Sequence, residues 1–291
     1  PTRDPAFPTE LPAGNWEVAV FDNRFPSLAT PPPGAEPPPS ITVPTAPANG
    51  HCEVTVYTQE AHTSLGSLPL GHLELLLRVW GERTNRLMER GDIAYVLPFE
   101  NRGTEVGATL HHPHGQTYAY PVVPPVPARM LEQGIAYLEL HGTGVLEDLI
   151  SRERQDGQRL LYAGPHAVAF VPPCARYPYE VWLAPNAPVA SFADLNDEQR
   201  ADLARGLKTL LLKYDGLWQR PMPYVMAWYQ APTDGKPHPE AHLHAQFYPP
   251  YRTRDRLKFL AGTELAASFF AVDALPEEKA KELQQVQVEI D

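Results

Sequence analysis

The spacing of apolar residues along this chain switches between two periods, and the same succession occurs twice. Residues 16–21 and 53–57 alternate like half-buried strands. From 71 to 90 the interval lengthens, with Leu73, Leu76, Leu77, Trp80, Leu87 and Met88 on one helix face. Alternation returns at 93–97 and leads to His112-Pro113-His114-Gly115-Gln116. The second round has strands at 166–171 and 179–183, then a helix opening at Asn196, an N-cap residue with Gln199 placed to complete a capping box. Leu203, Leu207, Leu210, Leu211 and Leu217 give that helix one stripe. A strand at 224–228 then leads to His242-Leu243-His244-Ala245-Gln246.

Strand, strand, helix, strand and His-x-His-x-Gln in both rounds read as an internal duplication. The pattern predicts an α+β fold, a mostly antiparallel sheet with helices packed on it. The halves run over 1–125 and 161–291, joined by a helical connection over 126–160 whose helix pair spans 128–153. A charged amphipathic helix is expected at 276–289. Proline sets the first half apart. The chain holds 34 prolines in 291 residues, many of them within 30–47, which can form neither a regular helix nor a central strand. An exposed polyproline-type loop between two strands is expected there.

Composition narrows the function classes. With 43% hydrophobic and 20% charged residues, the chain has the balance of an ordinary globular protein. It contains no apolar run of about 18 residues, so no membrane-spanning helix is expected. No basic segment followed by an apolar one opens it, so no secretion signal is expected either. Only 2 cysteines, Cys52 and Cys174, are present, which suits a reducing cytoplasm better than a disulfide framework. A formal charge of −11 argues against nonspecific nucleic-acid binding. It leaves room for a nucleotide, whose phosphates need only local donors.

The histidine segments carry the chemistry. On a strand His112, His114 and Gln116 project together, while Pro113 and Gly115 face the other way. Gly115 leaves space for backbone to approach a ligand, and Pro113 removes a ladder donor. Imidazole is a good nucleophile near neutral pH when one nitrogen is kept unprotonated.

Phe99-Glu100-Asn101-Arg102-Gly103, Gly107 and His112-Pro113-His114-Gly115-Gln116 resemble, in that order, the galactose-1-phosphate uridylyltransferases of the histidine-triad superfamily. Phe21-Asp22-Asn23-Arg24-Phe25-Pro26, the stretch from His242 to Pro250, and Lys258-Phe259-Leu260-Ala261-Gly262-Thr263-Glu264 extend the resemblance over almost the whole chain. It implies duplicated histidine-triad-like halves, and a homodimer whose active site can take residues from both chains. It also implies ping-pong exchange in galactose metabolism. His114 would attack the α-phosphorus of UDP-glucose, releasing glucose-1-phosphate, and galactose-1-phosphate would then take the uridylyl group. His112 and Gln116 belong to the same catalytic segment, and the second nitrogen of His114 would donate to a carbonyl within it. Phe21 and Asn23 match the uridine pocket, and Thr109 stands where family members have a serine on the α-phosphate. Asn101, Lys258 and Glu264 match residues that hold the hexose and its phosphate, with Phe259 counted among the substrate-binding positions. Gln116 can donate to a phosphoryl oxygen but cannot deprotonate water, which favours transfer over hydrolysis. The leaving sugar phosphate, with a second pKa of roughly 6, needs no general acid. The alternative is another nucleotidyl transferase or a dinucleotide phosphorylase of the same superfamily.

The sequence departs from that pattern in three places. Family members bind zinc through Cys-x-x-Cys and two histidines, here His62 and His112, but the cysteine pair is absent from this chain, so zinc is left open. Of an iron site found in some members only His244 remains, with Met130, Tyr229 and Gln246 at the other positions, and iron is not expected. Thr263 and Phe270 replace a tyrosine and a glutamine of the hexose pocket, which opens the choice of acceptor sugar.

Overall fold

The computed structural model describes residues 14–29, 42–43 and 47–290. Most of the proline-rich loop expected over 30–47 lies outside the described residues. A nine-stranded sheet spans the molecule in the order β1-β2-β4-β3-β8-β9-β7-β6-β5. Its first half contains β1 (Ala19–Asp22), β2 (His51–Val56), β3 (Tyr95–Arg102) and β4 (His114–Tyr120). Its second contains β5 (Leu160–Ala163), β6 (Ala167–Phe170), β7 (Val181–Pro185), β8 (Tyr224–Tyr229) and β9 (His244–Tyr248). Every pairing in this sheet is antiparallel. The halves join where β3 meets β8, with Phe99 opposite Ala227 and Arg102 opposite Tyr224. On either side of that seam lies a histidine strand, β4 beside β3 and β9 beside β8.

One sheet face is covered by α1 (Leu70–Met88) and α4 (Asp197–Leu217). Leu73, Leu76 and Leu77 of α1 and Leu203, Leu207, Leu210 and Leu211 of α4 are buried in a single core cluster. Trp80 joins the halves there, its ring 5.9 Å from that of Trp228 and 5.7 Å from that of Phe192. The capping box read at Asn196 is formed: the Gln199 N–H donates to Asn196 Oδ1 at 2.8 Å, and the Asn196 N–H donates to Gln199 Oε1 at 3.0 Å.

The opposite face is treated differently in the two halves. In the second it is covered by α2 (Pro125–His141) and α3 (Val145–Asp156), the expected helix pair, whose turn is made by Gly142 in the left-handed region, φ 72°. Leu146 and Ile150 of α3 pack with Val168, Phe170 and Ala184. The first half of this face carries His114 and Gln116. A ribbon of β10 (Tyr251–Thr253) and β11 (Arg256–Leu257), then α5 (Gly262–Ala267), follow β9. The tail helix α6 (Pro276–Gln284) is shorter than its charge pattern suggested. Among the described residues no helix is long and apolar enough to cross a membrane.

Candidate active site

β4 places His114 and Gln116 on one face and turns Gly115 and Thr117 to the other. His112 does not share that strand as expected, because β4 begins only after Pro113, whose ring nitrogen has no proton for the ladder. The Pro113 carbonyl accepts instead from the Tyr57 N–H at 3.0 Å. His112 is anchored separately, donating from Nε2 to the Thr58 carbonyl at 2.6 Å. Its own carbonyl takes the Nδ1–H of His114 at 2.8 Å. That bond fixes the tautomer of His114, so Nε2 keeps its lone pair.

Gly115 has a role other than the one read from sequence. A Cβ there would lie 2.1 Å from the Tyr57 hydroxyl and 2.9 Å from the Phe99 carbonyl. The space it leaves is filled by the core, with Tyr57 fully buried behind the strand, and not by a ligand. The strand backbone beside His114 is thus backed by a large rigid side chain.

A cavity of about 330 Å³ opens around His114 and is lined by His62, Asn101, Arg102, Leu110, His111 and His112 among others. The β3–β4 register has Phe99 opposite Gln116, and continuing it sets Asn101 across from His114. Asn23, beyond the end of β1, donates to Gln116 Oε1 at 3.3 Å and accepts from the Phe25 N–H at 2.9 Å. Phe21 pairs with Val54, which pairs with Gln116, so it occupies the same face two strands away. Thr109 is exposed, and its neighbours Ala108 and Leu110, rather than Thr109 itself, line the cavity.

Lys258, Phe259 and Glu264 are not among the lining residues. Lys258 is buried and donates to Glu264 Oε1 at 3.3 Å and to the Ala271 carbonyl at 2.5 Å. The Ala261 and Ala271 N–H groups, with Lys258, hold the Glu264 carboxyl down at about 2. Phe259 is 75% exposed beside this pair. Arg102 is the cavity residue that sequence reading missed. Strand parity puts it opposite to Asn101, and only the end of β3 brings both to the cavity; a bidentate pair with Asp215, at 2.8 and 2.9 Å, orients its guanidinium.

The site does not fit a structural zinc, which needs a tetrahedral set of ligands. The described residues bring only His62 and His112 of the family set to this wall. Among the described residues, the group that could hold an ion is Asp22, His51 and Glu53, on the helix-covered face at the sheet edge. Arg83 already grips both carboxylate oxygens of Glu53 there. An iron at His244 fits no better, since its Nε2 accepts from the Gln246 amide at 3.0 Å and the positions that the resemblance assigns to further ligands hold Met130, Tyr229 and Gln246.

Both domains of one family match this chain. The galactose-1-phosphate uridyl transferase N-terminal domain covers residues 12–124 and the C-terminal domain residues 131–290. A galactose-1-phosphate uridylyltransferase from Thermotoga maritima is 36% identical over 97% of this chain and 88% of its own length. One from Haemophilus influenzae is 34% identical over 84% of this chain and 70% of its own length. A solved uridylyltransferase is 35% identical, with a TM-score of 0.88 over 94% of this chain and 85% of that one. An ADP-glucose phosphorylase from Arabidopsis thaliana, solved with ADP-glucose, shares the fold at a TM-score of 0.80 and 24% identity, over 94% of this chain and 83% of that one. With a tautomer-fixed histidine at its centre and these matches along its length, the chain belongs to the galactose-1-phosphate uridylyltransferase family of nucleotidyltransferases.

Proposed function

We propose that the protein moves a uridylyl group from a UDP-hexose to a hexose-1-phosphate through a covalent bond to His114 Nε2. The observation that carries this is the Nδ1–H bond to the His112 carbonyl, which leaves the other nitrogen unprotonated and facing the cavity. In the first step the Nε2 lone pair forms a bond to the α-phosphorus. The bond from phosphorus to the bridging oxygen breaks, and its electron pair leaves with the hexose-1-phosphate. No proton is needed, since that phosphate departs as a weak base. The charge on the resulting imidazolium is shared with Nδ1–H, which the His112 carbonyl holds. An oxygen of the acceptor phosphate then attacks phosphorus and Nε2 leaves. Gln116 donates to a phosphoryl oxygen and offers water no base. In this reading Asn101 and Arg102 bind phosphate, Thr109 approaches it from the adjoining loop, and Phe21 and Asn23 hold the base.

Lys258, Phe259 and Glu264 fit this scheme if a second copy supplies them. Their segment is stiffened by the buried Lys258–Glu264 pair and presents Phe259, Leu265 and Phe269 outward, the last 76% exposed. That supports a homodimer in which each copy completes its partner's cavity. Thr263 donates its hydroxyl to the Phe269 carbonyl, and Phe270 packs on Tyr177, so neither offers a free sugar-directed donor. A tolerant acceptor site follows, galactose-1-phosphate being one acceptor. The same reading takes residues 1–125 and 161–291 as copies of one ancestral unit and the cytoplasm as the place of action. Zinc through His62 and His112 would require ligands from outside the described residues.

The test is the intact mass after incubation with UDP-glucose alone, beside His114→Ala. A gain of one uridylyl group, removed by galactose-1-phosphate and absent from the variant, is expected. Folded protein that takes no label overturns the reading. Label from ADP-glucose but not UDP-glucose would favour the alternative nucleotidyl transferase, which the phosphorylase neighbour keeps in view.

A further inference from the structure

The duplicated sheet face carries a second cavity, of about 370 Å³, lined by His242 and His244 as the first is lined by His112 and His114. It lies between β7, β8 and β9 on one side and α2 and α3 on the other, with Met130, Leu146, Leu149, Trp182 and Tyr229 in its walls. Charges on its rim are already engaged: Arg129 pairs with Glu132, and Glu240 accepts from His238. His244 is engaged as well, through both ring nitrogens.

One buried acceptor in the wall is not engaged. His242 donates from Nε2 to the Pro185 carbonyl at 2.9 Å, which makes Nδ1 an acceptor, and Nδ1 has no partner. His242 is 8% exposed. Buried acceptors are normally satisfied, so one left open in a cavity wall describes the missing donor. The rest of the wall describes the body that carries it: apolar, flat enough to lie between aromatic rings and aliphatic helix residues, and uncharged.

We propose that this cavity binds an uncharged aromatic heterocycle bearing an N–H donor, of nucleobase or indole size, with its ring against Trp182 and Tyr229 and that N–H toward His242. The lining carries one arginine, Arg129, on the exposed rim and no lysine or arginine in the buried wall, which suits an uncharged base better than a nucleotide.

The experiment is a ligand-observed NMR titration of the whole protein with indole, uracil and adenine, in saturating UDP-glucose so that the His114 cavity is occupied. At least one heterocycle should still bind. Met130→Trp, which fills the cavity, should weaken binding at least tenfold and leave uridylylation of His114 unchanged. His242→Phe should weaken it roughly three- to tenfold, the loss of one hydrogen bond, and N-methylation of the winning ligand should do the same. Any of three results overturns the proposal: no heterocycle binds at millimolar concentration, UDP-glucose displaces the ligand, or Met130→Trp binds as the parent does. A change of oligomeric state in Met130→Trp would also overturn it, by making the groove a contact between copies.

Discussion

The segments around His114 and His244 share a first hydrogen bond and differ in everything that follows. In each, Nδ1–H donates to the carbonyl two residues back, at 2.8 Å for His114 and 2.7 Å for His244. The free nitrogen of His244 is then capped by the Gln246 amide, whose oxygen is in turn taken by Arg176 and Tyr248. Helices α2 and α3 cover that half, and burial depresses the His244 pKa to about 4. Gln116 instead turns its oxygen to Asn23, and among the described residues none bonds His114 Nε2. The same His-x-His spacing therefore leaves an unpartnered ring nitrogen beside a cavity in one half and builds a structural post in the other. The difference lies in what the glutamine faces and what lies over the strand.

Exchanging the histidines one at a time should separate these roles most sharply. His114→Ala should lower transfer by on the order of 10⁴-fold or more while thermal unfolding stays close to the parent's. His244→Ala should keep most of the turnover and lose about 2–4 kcal/mol of stability, from the cavity and from orphaning Gln246, measured by urea unfolding.

Acid–base behaviour should divide the halves next. His244 prefers its neutral form when folded, so its contribution is complete above its ordinary value of 6.5 and is lost as pH falls through about 4. Glu100, on β3, runs the other way. Burial raises its carboxyl to about 7, against the opposing pull of Arg102 and the Tyr224 hydroxyl. Its contribution is complete below 4.5 and is lost as pH rises through about 7. Each shift is worth roughly 3 kcal/mol, and together they flatten the parent's stability across the mildly acid range. Glu100→Gln should leave a curve that climbs with pH, and His244→Gln one that descends. Parallel curves for the two variants would contradict the assignment.

The backing of the strands offers a smaller contrast. Gly115 and Ala245 occupy equivalent places, but only the second tolerates a Cβ. Gly115→Ala should cost about 2 kcal/mol, part of it recovered by Tyr57→Phe, which removes the colliding hydroxyl. Ala245→Gly should cost about 1 kcal/mol and gain nothing from that second change. Smallest of all, Asn23→Ala frees the Gln116 amide to rotate and should slow uridylylation by about fivefold, the value of one hydrogen bond, without altering the unfolding midpoint.

Local rules were legible in the sequence wherever they were sufficient. The box at Asn196 needs only four consecutive residues, and the stripes of α1 and α4 need only helical spacing. The repeated order of strands and helix was legible for the same reason, since each half follows its own periods. Contacts between distant segments were not. The collision that demands Gly115 comes from Tyr57, which nothing near the histidines announces. Arg102 reaches the cavity by lying at a strand end, where alternation stops deciding orientation. The short β5 and the β10–β11 ribbon offer too few residues for a period to show. Lys258 and Glu264 looked like ligands of a sugar phosphate, and within one chain they bind each other.

The β3–β8 seam has a consequence for how the protein is made. Its partners, such as Arg102 and Tyr224, stand 122 positions apart in the chain. At a ribosomal pace of roughly 5–20 residues per second, the earlier strand waits about ten seconds for the later one to be synthesised. During that interval β3 is an unpaired sheet edge, with open backbone donors and acceptors along Phe99-Glu100-Asn101-Arg102. Glu100, Asn101 and Arg102, which line the His114 cavity of the finished protein, thus also form that edge, where charged side chains disfavour pairing with another chain.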